Sequence, residues 1–294
     1  MKKGTEHRRR PAILVGLIGE HIQASRSPHL HEQEAQSKGI RYFYQLIDLQ
    51  QLGVGVEALP RLLGAAELLG FAGLNITHPC KQAVMPLLDE LSKDAAAIGA
   101  VNTVVFANGR RIGHNTDWLG FPESFRRGFA GVPLGRVVLL GAGGAGAAVA
   151  YALLLTLGAQ RLAIHDIDGV RAATLTARLC DRFGDGRAVR ISDLATELAE
   201  ADGLVQATAV GMLGRPGLAL PAELLRQELW VAEVVYVPLE TELLRRARAL
   251  GCRTLDGGRM AVYQAAEAFR LFTGIAPDRE RMLQHFVSTM NAER

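Results

Sequence analysis

The run Gly141-Ala142-Gly143-Gly144-Ala145-Gly146 follows four consecutive apolar residues, 137–140, and opens an alanine-rich apolar stretch. A G-x-G-x-x-G pattern between a strand and a helix marks a dinucleotide-binding βαβ unit; the same letters in another setting mean little. Each outer glycine has its own physical task. Gly141 permits the tight turn, Gly143 lets the backbone approach a pyrophosphate, and Gly146 lets the helix pack closely. The helix then turns its unbonded N–H groups and positive dipole end toward the phosphates. A second apolar strand, 161–164, runs into His165-Asp166-Ile167-Asp168, where a carboxylate can accept from ribose hydroxyls.

At 294 residues the chain is longer than one core usually organises. The glycine run starts near its middle, so a separate unit must precede it. In that first half, strand-like 12–19, 42–49 and 73–77 alternate with helical stretches. The first helix is opened by Ser27-Pro28, with serine as cap and proline suited to the first turn. Another is expected from His78-Pro79 to about residue 91, and 103–106 with 111–113 reads as a hairpin around Asn108-Gly109. The second half offers strands at 137–140, 162–165, 189–191, 203–207, 231–236 and 253–255, and a last amphipathic helix at 262–273 that packs back on the first unit. The expected fold is α/β, with a mainly parallel N-terminal substrate domain (11–119, completed by 257–294) and a doubly wound dinucleotide-binding domain (120–256). The hinges are expected at 120–135 and 255–258.

Composition narrows the function. The formal charge is only +3, and Lys and Arg are dispersed, so the basic stripe of a nucleic-acid binder is missing. The apolar run at 12–18 is too short to span a bilayer and lacks a small-residue cleavage site, so the basic residues before it read as a disordered tail. The three cysteines, Cys80, Cys180 and Cys252, are scattered and odd in number, which fits a reducing cytoplasm rather than a disulfide framework. The eight histidines show no metal-ligand spacing, and no metal is expected.

Chemistry-bearing residues of the first half gather at strand ends. Asn75-Ile76-Thr77-His78-Pro79-Cys80-Lys81 brings an amide, a hydroxyl and an amine to one turn. Ala100-Val101-Asn102-Thr103 and Asn115-Thr116-Asp117 add two amides and a carboxylate, and Ser25-Arg26-Ser27 adds two hydroxyls. Such a set suits a small, polyhydroxylated, anionic substrate. Lys81 taken alone would read as an exposed helix lysine, and Asp117 as a helix N-cap.

The order Ser-x-Ser-Pro, Asn-Ile-Thr-x-Pro-x-Lys, Ala-Val-Asn-Thr, Asn-Thr-Asp, Gly-Ala-Gly-Gly-Ala and Gly-x-x-x-Val-x-Gln resembles the shikimate dehydrogenases along nearly the whole chain. Stretches 73–88, 100–117 and 256–274 are most similar to the NAD-dependent shikimate/quinate branch. The resemblance implies that Lys81 and Asp117 form the catalytic pair. It implies that Ser25, Ser27, Asn75, Thr77, Asn102, Tyr236 and Gln264 face the substrate. By the same match Gly141, Ala142, Gly143, Gly144, Ala145, Asp166, Arg171, Ala207, Thr208, Val234 and Gly257 meet the cofactor. It further implies a monomer or homodimer with a small hydroxy acid as substrate.

The sequence departs from the commoner family pattern in three places. Residues 19–24 replace Pro-Ile-x-His, Glu242 stands where proline is commoner, and Asp166-Ile167-Asp168 stands where NADP-using relatives carry Asn-Arg-Thr. A carboxylate at 166 would repel a 2′-phosphate, so NAD is the expected cofactor, with Arg171 limiting the exclusion of NADP. The expected reaction interconverts shikimate and 3-dehydroshikimate, with quinate as a further substrate. The alternatives are a relative preferring quinate or an aminated ring, and a non-catalytic nicotinamide-binding sensor, whose mark would be the loss of Lys81 or Asp117.

Overall fold

The computed structural model describes residues 12–292; the basic tail expected before residue 11 lies outside them. The first half contains β1 (Ile13–Gly19), α1 (Ser27–Ser37), β2 (Tyr42–Asp48), α2 (Leu49–Leu52) and α3 (Leu59–Leu68). It continues with β3 (Gly73–Ile76), α4 (Cys80–Ala83), β4 (Glu90–Leu91), α5 (Lys93–Ile98), β5 (Thr103–Ala107) and β6 (Arg110–His114). Its sheet has the order β2-β1-β3-β5-β6-β4. β1 runs parallel to both neighbours, but β5 is antiparallel to β3 and β6. Three of the five pairings, including β4 with β6, are parallel, as expected of a mainly parallel sheet, and the antiparallel step from β5 to β6 is made by the Asn108-Gly109 hairpin, with both residues at positive φ.

The helix α6 (Asp117–Gly128) leads into β7 (Arg136–Leu140), α7 (Gly144–Ala152), β8 (Arg161–His165), α8 (Gly169–Phe183), β9 (Ala188–Arg190) and α9 (Leu194–Glu200). β10 (Gly203–Gln206), β11 (Trp230–Glu233), α10 (Glu242–Ala249) and β12 (Arg253–Leu255) complete a second sheet of order β12-β11-β10-β7-β8-β9. All its pairings are parallel. This is the doubly wound order, and it leaves a crevice at the C-terminal strand edges where β7 and β10 diverge into opposite halves. Both faces of β7 are buried. Val137 and Leu139 pack with α7, while Val138 and Leu140 pack with Leu243, Leu244 and Ala247 of α10. A parallel strand covered on both sides reads as an unbroken apolar run, as 137–140 does.

The chain returns to the first sheet through α11 (Gly258–Thr273), whose Phe269 and Phe272 pack with Val15, Leu17 and Tyr42. A further helix, α12 (Arg279–Ala292), which the sequence reading did not anticipate, is tied to α1 by the buried Glu34, which accepts from Arg281 Nη2 at 2.7 Å. Gly120, expected in a hinge, lies inside α6. A Cβ there would stand 2.7 Å from the carbonyl oxygen of Met260, so the glycine serves close packing of α6 on α11.

Other local expectations are corrected as well. The helix expected to reach residue 91 ends at Ala83 and gives way to a 3-10 turn, Met85–Leu87, because Pro86 has no N–H to continue the ladder. The strand expected to end at 236 stops at Glu233. Ser27 and Asp117 are first helical residues rather than caps; Arg26 and Thr116 hold the cap positions.

Candidate active site

Lys81 and Asp117 meet where the two sheets face each other. Lys81 Nζ donates to Asp117 Oδ2 at 2.6 Å, with the side chains 15% and 6% exposed. Both groups are largely shielded from solvent yet line the cleft. Lys81 reaches this point because α4 starts one residue earlier with Cys80, which is fully buried, and because the Lys81 carbonyl accepts from Val101 N–H at 2.8 Å. Burial pushes the Cys80 thiol up to about 12, so it stays protonated.

Asp117 is oriented by a buried polar chain. Its Oδ1 accepts from Asn102 Nδ2 at 2.9 Å, and its backbone N–H donates to Asn115 Oδ1. Asn102 Oδ1 accepts from Thr116 N–H at 2.8 Å and from Thr103 Oγ1 at 3.0 Å. Thr103 Oγ1 accepts from Asn75 Nδ2 at 3.0 Å, and Asn75 Oδ1 accepts from Tyr44 at 2.8 Å. Every link has a donor and an acceptor, which fixes both amide orientations. Burial raises the Tyr44 hydroxyl pKa, so it remains a donor. Tyr44 gave no signal in the sequence, where it reads as an ordinary β-strand residue, and Thr103 closes the Ala-Val-Asn-Thr motif but was given no role there.

The remaining predicted substrate residues lie around this pair. Gln264 Oε1 accepts from Asn102 Nδ2 at 3.2 Å, and Ser25 Oγ stands 3.5 Å from the Tyr236 hydroxyl. Ser27 donates its N–H to Ser25 Oγ at 3.3 Å, so Ser25 supplies the local turn bond expected of Ser27. Ser25, Ser27, Asn75, Thr77, Asn102, Tyr236 and Gln264 all line one cleft of about 300 Å³ with Lys81 and Asp117. The unusual segment 19–24 forms one wall. Asp48, buried at the end of β2, accepts from the N–H groups of His21 and Ile22, each at 3.2 Å, and holds that wall in place.

The cleft continues to the glycine run, where Gly143, Gly144, Ala145, Arg171, Ala207, Thr208, Val234 and Gly257 line it. Gly141 (φ 98) makes the turn, and a Cβ on Gly146 would collide with the Gly141 carbonyl oxygen. A Cβ on Gly143 would have no neighbour within 4 Å, and no side chain caps the start of α7, which leaves room beside an uncapped helix N-terminus of the kind a pyrophosphate uses. These residues fit a dinucleotide.

Gly141, Ala142 and Asp166 stand behind the lining. Asp166, 8% exposed, accepts from Ala142 N–H at 2.7 Å and Asp168 N–H at 2.8 Å, joining the glycine run to the end of β8. Arg171 Nε donates to Asp168 Oδ2 at 2.9 Å, and its guanidinium lies 4.0 Å from Asp166.

On the opposite edge, Gln206 and Glu233 are partners in register on β10 and β11. Gln206 Oε1 accepts from Thr208 N–H at 2.5 Å; Glu233 accepts from Val235 N–H at 3.0 Å and Thr241 Oγ1 at 3.1 Å. The two side chains thus hold the loops that carry Thr208, Val234 and Tyr236. Burial pushes Glu233 up to about 8. Neither residue was singled out in the sequence. Among the described residues no group of His, Cys, Asp and Glu could hold a metal ion, and no helix is long and apolar enough to cross a membrane.

A doubly wound sheet with a dinucleotide-shaped glycine turn, opening onto a lysine–carboxylate pair, defines a two-sheet α/β protein of the dinucleotide-binding class. Residues 17–104 match the family model of the shikimate dehydrogenase substrate binding domain, and 258–285 that of the shikimate 5'-dehydrogenase C-terminal domain. The chain is 62% identical over 274 residues to the shikimate dehydrogenase (NADP(+)) of Streptomyces avermitilis, covering 92% of this chain and 94% of the relative. It is 49% identical over 280 residues to the quinate/shikimate dehydrogenase (NAD(+)) of Corynebacterium glutamicum, covering 94% and 99%. The structure of quinate dehydrogenase from Corynebacterium glutamicum in complex with NAD superimposes with a TM-score of 0.84 at 48% identity, over 94% of this chain and 99% of that one. The chain belongs to the shikimate dehydrogenase family.

Proposed function

We propose that the chain is an NAD-dependent dehydrogenase that interconverts shikimate and 3-dehydroshikimate, and that it also accepts quinate. The observation that carries this reading is the 2.6 Å contact between Lys81 and Asp117 at the junction of the substrate and dinucleotide parts of one cleft. Bound nicotinamide dinucleotide would supply the hydride acceptor. Lys81 takes the proton of the ring hydroxyl as the hydride leaves its carbon, giving the ketone, and returns that proton in reduction. Asp117 orients the amine and, with Asn102, accepts and donates to the neighbouring hydroxyl. Ser25, Ser27 and Tyr236 bind the carboxylate end, while Asn75, Thr77 and Gln264 complete the ring contacts.

The preference for NAD is supported by the two carboxylates at the end of β8. Asp166 is held in place by Ala142, and Asp168 occupies Arg171, which leaves that cation engaged where a 2′-phosphate would arrive. A second reading, NADP, is favoured by the name of the Streptomyces relative and by Arg190, whose guanidinium packs beside Gly169 at the start of α8. Residues 11–119 with 257–294 would bind substrate and 120–256 the cofactor, with α6 crossing the boundary. The three thiols are free, in keeping with a reducing cytoplasm.

The deciding experiment is steady-state oxidation of shikimate, quinate and aminoshikimate with each cofactor. The expected result is highest efficiency with shikimate and NAD. Cofactor binding without turnover of any of the three would favour a sensor.

A further inference from the structure

Gly143 and Gly144 are adjacent in the glycine run, yet they face different things. Gly143 looks into open space. A Cβ on Gly144 would stand 2.7 Å from Lys81 Cβ, 3.1 Å from Lys81 Cδ and 3.3 Å from Ala100 Cβ. Non-bonded carbons settle at about 3.5–4.0 Å, so these separations leave no room for a side chain. Gly144 is not among the positive-φ glycines, and it is the first residue of α7, so its backbone conformation is open to alanine. What the position requires is empty volume.

We propose that Gly144 is a positioning residue for Lys81, and that its missing side chain lets the dinucleotide-binding half close against the lysine stem. The Lys81 backbone cannot retreat to make space. Cys80 before it is fully buried, and the Lys81 carbonyl is bonded to Val101 N–H at 2.8 Å. The stem therefore runs over the bare backbone of Gly144 and delivers Nζ to Asp117 Oδ2 at 2.6 Å. A methyl group at 144 either pushes the stem aside or holds the two halves apart, and both move the amine from the reacting hydroxyl. The glycine expected to serve the cofactor thus serves the proton-transfer group of the other half. This inference rests on the reading that Lys81 moves the proton.

The test compares Gly144→Ala, Gly143→Ala and Lys81→Ala in the full chain. Two quantities are read: kcat at saturating shikimate and cofactor, and the dissociation constant of NADH or NADPH, whichever the unaltered protein binds more tightly. For Gly144→Ala, kcat is expected to fall by about tenfold to a hundredfold, the order lost when a catalytic group is misplaced by about 1 Å. Its dissociation constant should stay within about threefold. Gly143→Ala should show the opposite split, with weaker binding and a smaller loss of kcat. The proposal is overturned if Gly144→Ala keeps kcat within about twofold, if it loses cofactor binding as Gly143→Ala does, or if it fails to fold. Near-native turnover of Lys81→Ala would sink the underlying reading instead. An inactive Lys81→Ala beside a normal Gly144→Ala would sink the Gly144 proposal alone.

Discussion

Asp117 divides its two carboxylate oxygens between Lys81 Nζ at 2.6 Å and Asn102 Nδ2 at 2.9 Å, so one buried group fixes the direction of the amine and is itself fixed by an amide. The pair joins α4 to the start of α6, elements that the hairpin β5–β6 separates in the chain.

Lys81→Ala should lower turnover by about 10²–10⁴-fold, the usual worth of a positioned acid–base group. Shikimate affinity, measured calorimetrically, should change little, because the other ring contacts remain. Retention of near-native kcat would return Lys81 to the status of an ordinary helix lysine.

Thr103→Val keeps the shape of the strand but removes the hydroxyl between Asn75 and Asn102. Asn75 Nδ2 keeps only its long bond to the Asn102 carbonyl oxygen, at 3.3 Å, and Asn102 Oδ1 loses a donor. A buried polar group left without its partner costs about 1–3 kcal/mol. Chemical denaturation should show a loss of that order, accompanied by a drop in kcat as Asn102 releases Asp117. Thr103→Ser should restore most of both. Equal effects of valine and serine would place the loss in packing and remove Thr103 from the polar chain.

Asp166→Asn with Ile167→Arg should narrow the preference for NAD. Ile167 is 97% exposed, so a guanidinium there is free to reach a 2′-phosphate. Two unit charges about 4 Å apart repel by ~1–4 kcal/mol between water and a protein-surface dielectric, which is about tenfold to a thousandfold in cofactor choice. The readout is the ratio of kcat/KM for the two cofactors, since Asp166 also holds Ala142 and its loss weakens both. A wild-type ratio at or below one would remove Asp166 from cofactor choice.

Ser27→Thr adds a methyl group to a nearly buried side chain that lines the cleft with Ser25 and Tyr236. A change of that size is worth about 1–3 kcal/mol between competing substrates. The ratio of quinate to shikimate efficiencies should rise, and an unchanged ratio would mean that Ser27 faces neither ring carbon at which they differ.

Two buried groups, His31 and Glu233, should make stability depend on pH with opposite signs. Burial pushes His31 down to about 3, so its contribution is full above the ordinary histidine pKa of 6.5 and is lost as pH falls toward 3. Glu233 has the opposite sign. With its carboxyl pushed up to about 8, its contribution is present below pH 4.5 and is lost as pH rises through 8. Thermal melts of Glu233→Gln should decline less than wild type between pH 5 and about 8.5. His31→Gln should flatten the acid side. Parallel curves for wild type and Glu233→Gln would show that Glu233 ionises normally in the folded protein.

The doubly wound sheet was legible in the sequence because its signals are local. Each parallel strand, buried on both faces, is a short apolar run, and the glycine turn at 141–146 is set by neighbours in the chain. The residues lining the cleft were recognised because Asn75, Thr77, Lys81, Asn102 and Asp117 fall in short motifs at strand ends. What the sequence could not reveal were relations across elements. Tyr44 looks like a routine strand residue and Thr103 like the end of a motif with no role of its own until β2, β1, β3 and β5 are laid side by side. Gln206 and Glu233 become partners only through the register of β10 with β11. Gly144 looked like one more phosphate-loop glycine, and only the packing of two halves encoded far apart shows that the empty space beside it belongs to Lys81. A motif records what its own backbone must do, whereas contact between distant segments depends on how their surfaces meet, and that is settled only when the chain has folded.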